Sequence, residues 1–157
     1  MTTLTGDDIQ LVTFRVGTQE FALDILQVER ILRHVAPAPL PKAPSFLEGV
    51  VPYEGGVVPV VDLRKRFELP APVREETRLM VLDLGEQRVG VLVDEVREVL
   101  RVDSTTITAP GPLVSGLAAA YIAGIVSRPE RTIIILNARK LLSSTERMAL
   151  TAMGSTS

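Results

Sequence analysis

The chain contains itself twice, and that limits its fold more than any other feature. Residues 12–33, VTFRVGTQEFALDILQVERILR, align with residues 80–101, MVLDLGEQRVGVLVDEVREVLR, at an offset of 68. Gly17 meets Gly85, Gln19 meets Gln87, and Val28, Leu32 and Arg33 meet Val96, Leu100 and Arg101. A second block, 46–67, aligns without gaps with 121–142 at an offset of 75, FLEGVV against YIAGIV and VPVVDLRKRF against IIILNARKLL. It places Gly49 on Gly124, Asp62 on Asn137, Arg64 on Arg139 and Lys65 on Lys140. A chain of 157 residues with such a repeat reads as two like subdomains, each too small to be comfortable alone, that share burial.

Each half predicts the same elements. A strand (11–16; 79–84) reaches a tight turn at Gly17 or Gly85, and a return strand follows (20–25; 88–93). Then come LQVERILR and DEVREVLR, whose apolar residues Val28, Ile31, Leu32 and Val96, Val99, Leu100 have the i, i+3, i+4 spacing of a short helix. A Pro/Gly-rich connection leads to further strands ending near Leu69 and Leu142. In the first half, the β-branched runs 49–51 and 57–61 flank Pro52-Tyr53-Glu54-Gly55-Gly56. That pattern is a hairpin whose tip exposes one aromatic and one carboxylate. Asp24 and Asp62 end apolar strands and are expected to bond turn amides. Residues 68–77, ELPAPVREET, read as a linker, and Ser143-Ser144-Thr145-Glu146 as a capping box opening a helix over 144–153. The expectation is one domain, 10–150, mainly β, made of two stacked β-barrels that follow the repeat, 11–69 and 79–142.

Composition removes several functions. Hydrophobic content of 46% suits a globular core, but with 4% aromatics and no Trp that core rests on Val, Leu and Ile. A net charge of −2 supplies no basic field for nucleic acid or an anionic membrane. The absence of Cys rules out disulfides and thiolate metal sites and suits a reducing cytosol. MTTLTGDDIQ has neither the basic region nor the apolar core of a signal peptide. The stretch 104–126 carries no charge, but Pro110, Gly111, Pro112, Gly116 and Gly124 break it, so it is not a membrane span.

Catalytic chemistry has few candidates. His34 is the only histidine and, beside Arg33, reads as a solvated side chain or structural donor; with no Cys, only carboxylates remain to complete a zinc site, and no second histidine could serve a triad elsewhere. Ser115-Gly116 sits in no nucleophile elbow, and no phosphate-binding glycine loop occurs. Asp83, Asp94, Glu95 and Glu98 interleave with Arg97 and Arg101, a pattern read as an exposed face of helix-spaced ion pairs. The inventory points to a surface that binds other proteins, with no metal, cofactor or catalytic residue.

The residues also carry a resemblance. FLEGVVPYEGGVVPVVDLR resembles the signature of the CheW family, with its glycine–valine pair, asparagine-leucine-arginine-glycine turn and V-x-P-V-x-D-L-R. VTFRVGTQEFALDILQVERIL, VGVLVDEVREVL, YIAGIV and ILNARKLLSSTERMAL are similar to its other blocks, so the likeness spans about residues 10–150. It implies two SH3-like five-stranded β-barrel subdomains packed together, with short connecting helices and a C-terminal helix. It implies a non-catalytic adaptor in the cytoplasm, recruited to chemoreceptor arrays. One face would dock the regulatory domain of a CheA-type histidine kinase. Another, near the groove between subdomains, would hold the tip of a methyl-accepting chemoreceptor. Correspondence with the family's interaction positions selects Val28, Arg30, Gly49, Glu54, Thr77 and Leu79, with core packing as the competing reading of Val28 and Leu79. Tyr53 joins them as an exposed aromatic on the turn.

Two departures from the family pattern stand out. Glu54 takes the place of the turn arginine, with Pro52-Tyr53 for asparagine-leucine, and Arg30 takes the place of a glutamate in V-x-E-I. The double sign reversal predicts that Arg30 and Glu54 are neighbours whose attraction survives. It also leaves open a paralogue that binds only kinase or only receptor. A small-molecule binder or enzyme using the inter-barrel groove is the reading from another class.

Overall fold

The computed structural model describes residues 8–109 and 121–143, together with Glu146, Met148 and Ala149. The first half supplies β1 (Asp8–Val16), β2 (Gln19–Asp24), β3 (Val28–Arg33), β4 (Gly49–Tyr53) and β5 (Gly56–Asp62). The second supplies β6 (Arg78–Asp83), β7 (Arg88–Val93), β8 (Glu95–Asp103), β9 (Ile122–Arg128) and β10 (Arg131–Leu136). They make two five-stranded sheets, β8-β1-β2-β10-β9 and β3-β6-β7-β5-β4. The fold is mainly β and built of two SH3-like barrels, as the sequence suggests.

The barrels do not follow the halves of the repeat. Each takes its first hairpin from one half and its other three strands from the other half. The spans 11–69 and 79–142 are therefore units of sequence, and the strands cross between them. The exchange is itself two-fold. Leu11 pairs with Leu100, and its repeat mate Leu79 pairs with Leu32. The parallel contact Ala22–Ile135 has its counterpart in Gly90–Val60.

Burial explains the long apolar runs. One face of each sheet fills its own barrel: Leu11, Ala22, Val102, Val126, Ile133 and Ile135 in one, and Val51, Val58, Val60, Leu79, Val81 and Leu92 in the other. The opposite faces meet in a third and larger core. There Val12, Phe14, Val16 and Leu23 oppose their repeat mates Met80, Leu82, Leu84 and Val91. Strands β1 and β6 are buried on both faces, so they read as unbroken hydrophobic runs rather than alternating ones. The largest buried apolar cluster is the one the two barrels share.

Two segments expected to be helical are strands. VERILR is β3 and EVREVLRVD is β8. Three- and four-residue spacing of apolar residues also fits a sheet edge with one lightly buried face, and β-branched Val28, Ile31, Val96, Val99 and Val102 favour that outcome. Only the 3-10 turn Ile25–Gln27 is helical there, capped by the Asp24 carboxylate, which accepts from the Leu26 amide. Asp62 caps the one-turn α1 (Leu63–Arg66) in the same way, as its mate Asn137 caps the 3-10 turn Ala138–Leu141. The capping box after β10 is formed. The Ser143 hydroxyl accepts from the Glu146 amide at 3.1 Å, and Glu146 accepts from the Ser143 amide at 2.9 Å. The helix expected over 144–153 otherwise lies outside the described residues.

Glycine is required where chains cross. At Gly49 (φ +145°) a Cβ would lie 2.4 Å from the Ala38 carbonyl oxygen, because Ala38 bridges to Val50 beside it. Its mate Gly124 serves the equivalent bridge of Thr108 to Ile125.

Candidate functional site

The β4–β5 hairpin turns through Glu54 and Gly55, both with left-handed φ (47° and 81°), as a two-residue type I′ turn demands. The strained turn carries Glu54 to Arg30 on β3, where the carboxylate lies 3.6 Å from the guanidinium. The predicted neighbours are together, and both are well exposed, 56% for Arg30 and 47% for Glu54. Tyr53 closes the hairpin opposite Gly56 and half-covers the open end of its barrel core.

A second tie crosses this rim. The register of β3 on β6 slips between Val28 and Arg30, and the bulge leaves Glu29 without a ladder partner. Its side chain accepts from the Tyr53 hydroxyl at 2.5 Å and from Arg88 Nε, on β7, at 2.8 Å. The Tyr53 hydrogen bond, then Arg88, hold the Glu29 carboxyl below its ordinary range. The same bond to Glu29 pushes the Tyr53 phenol up. The guanidinium carbons of Arg30 and Arg88 each stand 5.9 Å from the Tyr53 ring centroid. Arg30, Tyr53 and Glu54 thus form one platform with Glu29 and Arg88, two members that sequence reasoning missed. The bulge that aims Glu29 has no sequence signal, and Arg88 reaches the rim only through strand exchange.

The other expected site residues lie elsewhere. Val28 is half-buried against the inter-barrel core. Leu79 is 1% exposed inside a barrel, and Gly90 leaves room for its methyls. Thr77 is 1% exposed, and its hydroxyl accepts from the Arg74 amide to close the linker turn. Gly49 is buried under residues 37–38. Thr77, Leu79 and Gly49 are therefore positions of packing and turn closure with no surface to offer a partner.

The charged run 94–101 is also different from the exposed helical face expected. Asp94 is largely buried. It accepts from the Gly17 amide at 2.7 Å and pairs with Arg64 Nη1 at 3.2 Å. Arg64 is 1% exposed, forks bidentately onto Asp62 at 2.9 Å on both nitrogens, and donates to the Pro72 carbonyl. Burial works against its charge, but Asp62 and then Asp94 outweigh burial and keep its pKa raised. This network joins the end of β5, the linker, the β7–β8 junction and the β1–β2 turn. Glu95 to Arg15 and Glu98 to Arg131 are contacts between strands, and Arg97 pairs with Glu95 on its own strand and with Glu20 on β2.

A groove of about 290 Å³ opens along the inter-barrel seam, lined by Phe21, Phe67, Leu69, Tyr121, Ile134 and Leu136 among others, with Arg66 and Glu68 contributing its charge. The rings follow one another, Phe21 stacked on Phe67 at 5.2 Å and Phe67 tilted against Tyr121 at 6.0 Å between centroids. Among the described residues no cluster of His, Cys, Asp and Glu is placed to hold a metal ion, and no helix is long and apolar enough to cross a membrane.

A pair of exchanged SH3-like barrels with a polar hairpin rim and an apolar seam defines a docking module. Comparison with known proteins agrees. Residues 10–146 match the model of the CheW-like domain, and the chain belongs to that family. It is 33% identical over 94% of its length to a chemotaxis protein CheW of Klebsiella aerogenes, covering 90% of that protein. It is 29% identical over 92% of its length to one of Treponema pallidum, covering 88%. The crystal structure of the scaffolding protein TtCheW from Thermoanaerobacter tengcongensis superposes with a TM-score of 0.79 at 27% identity, covering 93% of this chain and 95% of that one.

Proposed function

We propose that the chain is a non-catalytic adaptor of a bacterial chemosensory array, coupling chemoreceptors to a CheA-type histidine kinase by docking both. The scaffold role follows from the family and from the likeness to a scaffolding protein. One observation carries the division of labour: two surfaces that share no residue sit on one rigid core. The rim of Arg30, Tyr53 and Glu54 is polar and pre-organised, and it suits the kinase regulatory domain. The groove at the seam between barrels is mostly apolar, with Arg66 and Glu68 at its lining, and it suits the helical tip of a receptor.

Titrations of the intact chain with each fragment alone test this reading. Saturable binding of both, with neither displacing the other, is expected. Competition between them would place both on one surface, and binding of neither would end the proposal. A second reading is favoured by the reversed signs at Arg30 and Glu54. Charge complementarity sets partner choice more than affinity, so the chain would keep the receptor and refuse a kinase matched to the usual signs. Binding of the receptor fragment alone would establish it.

A further inference from the structure

We infer that the groove at the inter-barrel seam is covered by the chain's own C-terminal segment, residues 147–153, and that a docking partner must displace it. Which partner is kept out rests on the docking reading above; the cover itself does not. The anchor is Glu146. Its carboxylate accepts from Arg66 Nη2 at 2.8 Å, and Arg66 is one of the residues that line the groove. Both side chains are well covered, 14% and 22% exposed. The Arg66 guanidinium carbon also stands 6.0 Å from the Phe46 ring centroid, so the cation is held from a second side. Burial works against the charge of Glu146, but Arg66 and the Ser143 amide outweigh it and keep the carboxyl low. The chain therefore passes Glu146 fastened to the groove wall.

A helix starts at this anchor. Ser143 and Glu146 close the capping box, and Glu146, Met148 and Ala149 are helical. Burial fixes which face is turned inward: Glu146 and Ala149 are partly covered, whereas Met148 is 72% exposed. The helical period puts residues i, i+3, i+4 and i+7 on one face. A helix continued along Arg-Met-Ala-Leu-Thr-Ala-Met thus carries Leu150 and Met153 on the face of Glu146 and Ala149, and neither Pro nor Gly interrupts it before Gly154. Apart from one carboxylate that face is apolar. The groove offers it Phe21, Phe67, Tyr121, Ile134 and Leu136, with Arg66 for the carboxylate. Unbranched methionine adapts well to an aromatic lining. An occupant tied to the groove by its own chain is present at high effective concentration, so a few apolar contacts hold it there.

Cross-linking tests the cover in the full chain, which has no native cysteine. Met153→Cys is paired in turn with Leu69→Cys and Ile122→Cys, two lining positions, and Met148→Cys, on the exposed face, takes its place as the control. A short bismaleimide should join the Met153→Cys pairs within one molecule several-fold faster than the control pairs. Equal rates would overturn the inference and leave the docking reading standing. Leu150→Glu should release the segment and tighten binding of the receptor tip fragment by about ten-fold, the gain for a site otherwise open about a tenth of the time. Met148→Glu should leave that binding unchanged. Thermal melting confirms that each variant folds. Unchanged or weaker binding by a folded Leu150→Glu, where the unaltered chain binds, would overturn displacement. Preferential cross-linking in a chain that binds no receptor fragment would uphold the cover and end the receptor reading instead.

Discussion

Replacing Arg64 by methionine tests what holds the barrels in register. The residue is 1% exposed, and its guanidinium serves Asp62, Asp94 and the Pro72 carbonyl at once. Arg64→Met keeps much of the volume and leaves two carboxylates, 3% and 13% exposed, with no cation. Removing one partner of a buried pair costs about 3–5 kcal/mol. Here Asp62 keeps the Arg64 amide and Asp94 keeps the Gly17 amide, so the low end, about 3 kcal/mol, is expected. For a domain of this size that lowers Tm by about 6–12 °C. Urea unfolding should show a lower midpoint at unchanged slope. Asp62→Asn added to Arg64→Met should recover part of the loss, because it removes one uncompensated charge and keeps the cap. The repeat supplies the control. Arg139, the mate of Arg64, faces Glu86 across an exposed pair, 53% and 56%, with Asn137 where Asp62 stands. Arg139→Met should cost no more than about 1 kcal/mol. Equal costs for the two arginines, or strict additivity of Asp62→Asn with Arg64→Met, would refute the network.

The remaining expectations concern the rim and the crossings. A double-mutant cycle of Arg30→Glu and Glu54→Arg should give a coupling of about 0–1 kcal/mol in stability, with a larger effect on partner binding. In a Tyr121→Phe background, ultraviolet titration should place the Tyr53 phenol above its ordinary value, and Glu29→Gln should return it. The folded-state pKa of Glu29 is lowered, so the tie it makes strengthens the fold above the ordinary carboxylate pKa and fades as pH falls through the lowered value. Fluorescence of a probe on the hairpin should report a looser rim there, whereas a rim unchanged at that pH would contradict it. Gly49→Ala should destabilise by about 1–3 kcal/mol in urea, since the new methyl meets backbone at Ala38.

Sequence periodicity resolved much of this molecule because its strands are buried on known faces. The runs at 11–16, 79–84, 49–51 and 57–61 are strands, Gly17 and Gly85 make the turns, and the Asp24 and Asp62 caps form. The sign reversal at Arg30 and Glu54 correctly placed two residues 3.6 Å apart. Local pattern failed where tertiary context decides. VERILR and EVREVLR carry spacing that serves a helix or an edge strand equally, and only pairing with β6 and β1 settles it. Long-range pairing also hid the strand exchange, the buried role of Arg64, the reach of Arg88 and the burial of Thr77 and Leu79.

The crossing of strands between halves also bears on biosynthesis. As the chain leaves the ribosome, β1 and β2 appear first, yet their sheet is completed only by β8, β9 and β10. The first hairpin must wait, unfinished and apolar, until residue 136 has been made. The other sheet needs only β3 to β7 and is complete at residue 93, so protease protection of the nascent chain should appear there first and reach β1 and β2 only once β10 has emerged. Two fragments cut in the 68–77 linker should be insoluble apart and regain structure only when mixed.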